Sequence, residues 1–317
     1  MQKTLAPSTS STYQAAFNQY TTFCRSHQLQ PAPLLEANLM LYVSQLSLNS
    51  SPSTIKSHLA AIKHHVLLLG YHQHIPPFPR LYMLTRAIKR ITGNAQNKPK
   101  RLPITIMHLT RLKDYLASNF CKHDQDMLWA AFTTAFFGFL RSSEFVAPTT
   151  KTFDPEQTLL VSDVTTKHSH IHLNIKASKT DPFRHGCTIR LARTNSPTCP
   201  VTSLLQLYRI HPKTGPLFTY ADGTYLTRRR LNAILKKAIP SQIGEGQTSS
   251  HSFRIGAATT AAAAGFPRWL IQQLGRWNSD CFRTYIRIPD NTINKVSALM
   301  CKVDRVTDTY DPDLVCN

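Results

Sequence analysis

One polar, basic stretch, Gly93-Asn-Ala-Gln-Asn-Lys-Pro-Lys-Arg-Leu-Pro103, limits the possible folds of this chain more than any other segment. Its two prolines, one glycine and three Lys/Arg suit neither a helix interior nor a strand. It reads as a basic linker over 93–103, and 317 residues are enough for a separate core on each side of it. The reading is a domain over 1–92, a second over 104–300 and a short tail over 301–317.

The two parts differ in hydrophobic period. In 1–92 apolar residues recur every three to four positions, which marks amphipathic helices. Ser8–Ser11 offer caps for a first helix carrying Tyr13, Phe17, Tyr20 and Phe23. Leu34 to Leu46 forms a second, with Leu35, Leu39, Val43 and Leu46 on one face. A third begins at Ser53, with Ile55, Leu59, Ile62, Val66 and Leu69 inward and Lys56, Lys63, His64 and His65 outward. A fourth opens at Pro79, with Leu81, Leu84, Ile88 and Ile91 inward and Arg86, Lys89 and Arg90 outward. Beyond the linker, Ile104–Leu116 and Asp124–Gly138 read as helices. The period then changes to two over Leu159–Val161, His170–Ile175 and Thr188–Leu191, as in a small antiparallel sheet. Helices resume near Pro200, Thr227, His251, Pro267 and Asn291. The expected fold class is mainly α with a small antiparallel β-sheet (α+β).

Charge narrows the partner. The chain holds 37 Lys+Arg against 17 Asp+Glu, a net charge of +20. Residues 1–100 contain ten of those bases and a single acid, Glu36, while the tail 301–317 is acidic. A positive field over both parts attracts a polyanion, and double-stranded DNA is the expected one. Lys56, Lys63, Arg86, Lys89, Arg90, Lys98, Lys100 and Arg101 are the candidate DNA-binding residues. The first residues, Met1-Gln-Lys-Thr-Leu-Ala-Pro-Ser8, lack the apolar run of a secretory leader, and no stretch is long and apolar enough for a membrane helix. Seven cysteines without a CxxC spacing argue for reduced thiols rather than a disulfide framework. His168, His170 and His172 alternate on a predicted strand, but no carboxylate or cysteine joins them, so no metal site is expected.

The chemistry gathers late in the chain. His251-Ser-Phe-Arg254 offers an imidazole and a guanidinium three residues apart, Gly275-Arg-Trp277 an indole N–H and Tyr285 a phenol. A guanidinium donates two parallel N–H groups to phosphate oxygens. Gly138-Phe-Leu-Arg141-Ser-Ser-Glu144 places another arginine at the end of an apolar helix, with a carboxylate beside it. Lys179 falls at a turn between two predicted strands. Singly, each has an ordinary reading: a helix-end charge, a turn lysine, a core tryptophan, a surface tyrosine. Together they suit gripping and attacking a phosphodiester.

The set, in this order, resembles the tyrosine recombinases of the phage-integrase family, and in particular the eukaryotic branch carried by DIRS-like retrotransposons and Cryptons. The family pattern of Arg, hairpin Lys, His-x-x-Arg, His or Trp, and Tyr matches Arg141, Lys179, His251, Arg254, Trp277 and Tyr285, and its Arg-x-x-Glu spacing matches Arg141 and Glu144. Trp277 stands where most members carry a second histidine, and the eight residues from Trp277 to Tyr285 are one fewer than the commonest bacterial interval. The resemblance implies a helical core-binding (SAM-like) domain before a catalytic domain. It implies metal- and ATP-independent DNA strand transfer through a 3′-phosphotyrosyl intermediate, without a cofactor. Tyr285 would be the nucleophile, with Tyr310 in the tail as the alternative. Arg141, Arg254 and Trp277 would hold the phosphate, Lys179 would protonate the leaving oxygen, His251 would assist proton transfer and Glu144 would orient Arg141. It further implies a tetramer on DNA, delivery of Tyr285 in cis or in trans, a tail over 301–317 docking on a neighbouring copy and, for that branch, a nuclear location. A DNA-binding protein that has lost catalysis and a topoisomerase with the same chemistry are the competing readings.

Overall fold

A computed structural model describes residues 5–71, 78–93, 101–178, 181, 183–211, 214–240 and 246–287. Lys98, Lys100, Lys179, Tyr310, the helix expected near Asn291 and the tail 301–317 lie outside the described residues. Contacts divide the chain into two units, Met1–Lys98 and Pro99–Asn317. Their fold is mainly helical with one small antiparallel sheet.

The first unit holds α1 (Pro7–Ser26), α2 (Glu36–Ser47), α3 (Pro52–Leu68) and α4 (Pro79–Gly93). Tyr20, Phe23, Leu39, Tyr42, Val43, Ile55, Ile62, Val66, Leu81 and Ile88 form its core. Three of these helices begin on a proline, whose missing N–H costs nothing at a helix start. Proline overrides the serine caps expected for α1, which starts at Pro7 with Ala6 as its cap residue. In α3, Ser51 accepts the Thr54 N–H, which moves the start ahead of Ser53. Phe78, preceding α4, has no side-chain acceptor. Glu36 fills that role from α2, accepting the Arg80 and Leu81 N–H groups at 2.7 and 3.0 Å. The lone acid of the first hundred residues therefore satisfies a helix N-terminus.

Several inward and outward assignments change. Ile91 is 76% exposed, because the apolar stripe of α4 runs out after Ile88. Leu35 and Leu69 are also exposed, each lying just outside its helix. His65 faces inward, with both ring nitrogens buried and its ring edge-on to Phe17 at 4.6 Å. Lys56, Lys63, Arg86, Lys89 and Arg90 are all exposed.

The second unit begins with α5 (Ile106–Asn119), α6 (Lys122–Phe137) and the single turn α7 (Ser142–Phe145), followed by β1 (Val164–Thr166), β2 (His170–Ile175) and β3 (Cys187–Ala192). The strands form an antiparallel meander in the order β1-β2-β3, with Val164 opposite Leu173 and Ile175 opposite Cys187. Helices α8 (Pro200–Ile210), α9 (Arg228–Ala238), α10 (Ser252–Ala263) and α11 (Arg268–Gly275) complete it. Buried α6 and α8 pack together over the sheet's inward Ile171, Leu173, Ile175 and Leu191.

The first expected strand, Leu159–Val161, is not in the sheet. The Asp163 carboxylate accepts the Leu160 N–H at 2.8 Å and winds Val161–Asp163 into a 3-10 turn, so β1 starts at Val164. His168 is likewise outside its expected strand. The Lys167 N–H bonds the His170 carbonyl at 2.9 Å and reverses the chain there, leaving only His170 and His172 side by side.

Two glycines set distances near α10 and α11. A Cβ on Gly256 would collide with the Ile104 carbonyl, so α10 can lie against the segment entering α5 only with glycine there. That segment is also tied by the Ile104 N–H to the Ser252 carbonyl at 3.0 Å. Gly256→Ala is expected to cost roughly 1–3 kcal/mol through overpacking against rigid backbone. Denaturant unfolding of the two proteins side by side measures it.

Candidate active site

Arg141 is not at a helix end, as its sequence suggested. Helix α6 stops at Phe137, Phe139 takes a left-handed φ of 51°, and Arg141 becomes the cap residue of α7. That turn places Glu144 three residues on, with its carboxylate folded back. Glu144 accepts the Arg141 main-chain N–H on Oε2 at 2.9 Å and the Arg141 guanidinium on Oε1 at 3.1 Å. It is fully buried and also pairs with a residue the sequence analysis passed over. The Arg276 guanidinium donates to Glu144 Oε2 at 2.7 Å and to the Gly138 carbonyl at 3.1 Å.

The Gly275-Arg276-Trp277 run explains that reach. Arg276 ends α11 in the left-handed region at φ 54°, which reverses the chain. A Cβ on Gly275 would run into the Trp277 ring, so only glycine lets the indole fold back over the helix end. Trp277 is then buried and packs with Phe139, Ala257, Ala258, Ala261, Ile271 and Phe282 in a small core of its own.

His251 is also displaced from its expected place. It is the cap residue of α10 rather than part of the helix face, and Arg254 lies one turn in. The loop before it is pinned by the Ser250 N–H on Asn232 of α9 at 2.7 Å and by the Ser249 N–H on Ser252 at 2.9 Å. Arg254 is 0% exposed. Its terminal nitrogens donate to the Phe139 and Gly275 carbonyls, its Nε is buried without a partner, and its guanidinium lies 4.2 Å from the Trp277 ring centroid. Burial and nearby Arg141 lower its pKa to about 9, so it remains charged at neutral pH.

Tyr285 joins the two aromatic partners. Its ring stacks on Trp277 at 5.6 Å and 28°, and meets His251 edge-on at 5.1 Å. Thr259 of α10 donates to the Tyr285 carbonyl at 3.1 Å and accepts the Arg287 N–H at 3.3 Å, which fastens this segment to α10. Four of the sequence candidates, His251, Arg254, Trp277 and Tyr285, thus form one contact chain. Arg141 and Glu144 connect to it through Arg276 and the Phe139 carbonyl. Arg101 and Arg228 bring further positive charge to His251. The triple arginine at 228–230 and the Arg next to Gly275 were the available sequence signals for the residues missed.

The site is strongly electropositive. Arg141, Arg254 and Arg276 share one carboxylate, Glu144, which leaves two positive charges without an acidic partner among the described residues. Among those residues no group of three or more His, Cys, Asp or Glu is placed to hold a metal.

No protein-family model and no curated protein matches the sequence. Solved structures do match the fold. XerH site-specific recombinase bound to a palindromic difH substrate aligns with TM-score 0.59 and 15% identity over 93% of this chain and 80% of that one. The Tn1549 transposon integrase in complex with a circular intermediate DNA gives 0.57 and 13% over 93% and 99%. A lambda integrase dimer bound to a COC′ core site gives 0.57 and 14% over 96% and 76%. The chain has the tyrosine recombinase fold. At these identities the likeness concerns the fold, and the chemistry rests on the residues just described.

Burial, reinforced by Arg101, Arg254, Arg141 and Arg228, lowers the His251 pKa to about 4. The unfolded chain binds this proton near the ordinary value of 6.5, whereas the folded protein does not until about 4. Protonation therefore favours the unfolded state as pH falls through that window, and the penalty is absent above it. In the free protein, the His251 ring resonances are expected to show no titration between about pH 8 and 5.5 by NMR, where an unperturbed histidine would change.

Proposed function

We propose that this chain is a site-specific DNA recombinase or integrase that cuts and rejoins DNA through a 3′-phosphotyrosyl intermediate. The observation that carries the reading is the uncompensated pair of positive charges around Glu144, linked through Arg254 and Trp277 to the Tyr285 ring. A phosphodiester supplies the missing negative charge, and charge grows on its non-bridging oxygens in the transition state. The fold's likeness to recombinases and integrases bound to DNA supports the same substrate.

In this reading Tyr285 Oη attacks the phosphorus and the P–O5′ bond breaks. His251, which meets the Tyr285 ring edge-on and is neutral at physiological pH, accepts the phenol proton. Lys179 protonates the departing 5′ oxygen. Attack by another strand's 5′-hydroxyl reverses the step, so the covalent link conserves the bond energy without ATP or a metal. Arg141, whose side chain is partly exposed, meets the phosphate directly, and Glu144 holds its guanidinium in place. Strand exchange between two duplexes calls for a tetramer on DNA, with recombination of a mobile element in the nucleus as the setting.

A nicked suicide duplex tests this. The wild-type protein is expected to yield a covalent protein–DNA adduct on a denaturing gel, and Tyr285→Phe none. An adduct from Tyr285→Phe moves the nucleophile elsewhere, with Tyr310 next in line. Absence of an adduct from either protein, with DNA binding retained, leaves the DNA-binding reading, and adducts that relax supercoils without strand exchange leave the topoisomerase.

The exposed bases of the first unit provide a second check. Lys56→Ala, Lys63→Ala, Arg86→Ala, Lys89→Ala and Arg90→Ala are each expected to weaken DNA binding evenly across sequences. Each phosphate contact removed lowers the slope of log affinity against log salt by about one. An unchanged slope removes that residue from the DNA-facing set.

A further inference from the structure

We propose that Arg276, and not Trp277, joins Arg141 in contacting the scissile phosphate, while Trp277 serves to position Tyr285. The proposal rests on the DNA-cleavage reading above and deepens it.

The first ground is accessibility. Arg254 is enclosed, whereas the Arg141 and Arg276 side chains are 15% and 17% exposed and are held by the two oxygens of one carboxylate. Shared anchoring brings these two guanidiniums together at the edge of the cluster. The second ground is the geometry of Trp277. Its ring is occupied on Arg254 and on Tyr285, and its main-chain carbonyl takes the Gln272 amide at 3.1 Å. A buried ring so placed suits orienting the nucleophile. The third ground is charge. Glu144 neutralises one of three guanidiniums, and the Nε groups of Arg254 and Arg276 are both buried without a partner, so the cluster still lacks an anion. The left-handed turn at Arg276 and the glycine before it send these two neighbouring side chains to different tasks.

Single-turnover adduct formation on the nicked duplex, run with a normal and with a neutral methylphosphonate linkage at the cleavage site, tests the assignment. Arg276→Ala is expected to slow adduct formation by about 100-fold or more on the normal linkage, as for loss of one preorganised donor. Its defect shrinks to less than about 10-fold on the neutral linkage, where the charge it offsets is gone. Arg276→Lys falls between, and Trp277→Phe, which keeps an aromatic ring and loses the indole N–H, is expected to show the same defect on both linkages, as for a residue that positions the nucleophile. Thermal melts of the free variants separate misfolding from lost chemistry. An equal defect of Arg276→Ala on both linkages, or a Trp277→Phe defect that shrinks on the neutral linkage, overturns the proposal.

Should the wild-type protein form no adduct, the cleavage reading fails, and the phosphate contact is read separately. Titration of the free protein with inorganic phosphate is expected to shift the Arg276 Nε–H resonance in NMR. A shift at Arg141 with none at Arg276 overturns the assignment without reference to turnover.

Discussion

The second unit depends on one buried carboxylate. Glu144 takes three hydrogen bonds, from the Arg141 main chain, the Arg141 guanidinium and the Arg276 guanidinium. Two arginines drawn toward a third, buried one would repel each other in a medium of low dielectric. Glu144 offsets part of that repulsion and fixes both guanidiniums at once. The arrangement stops short of neutrality, with two positive charges left without an acidic partner among the described residues.

Small residues make the rest possible. Gly256 lets α10 touch the main chain at Ile104, and Ala257, Ala258 and Ala261 leave room beside it for Ile271, Trp277 and Phe282. Gly275 then opens space for the indole. The Phe139 carbonyl, turned by a left-handed residue, accepts from Arg254 and, at 3.4 Å, from Arg276. Local backbone turns in two distant segments thus decide where three charges meet. The same economy operates in the first unit, where Glu36 caps a helix that begins with no side-chain acceptor of its own.

Much of this was legible beforehand because it is local. Four helices with one apolar face each, the change of period before β2, and a tyrosine placed after an arginine-bearing helix follow from spacing alone. The departures arise where one side chain redirects the backbone. Asp163 turned Leu159–Val161 out of the sheet, the Lys167–His170 turn removed His168 from its strand, and Pro7 set the start of α1 in place of a serine. His65 turned inward because Phe17, on another helix, offered a ring to pack on.

From sequence alone came the residue types: a basic chain with an Arg, His-x-x-Arg, Trp and Tyr in that order, and hence the class of chemistry to look for. Tertiary structure alone decided their distribution. It buried Arg254, placed Trp277 between a cation and a phenol, and brought Arg276 to Glu144 across 132 residues of chain. The reason is physical: periodicity records which face of an element is apolar, whereas the partner of a charge is fixed only when distant elements pack and exclude water from between them.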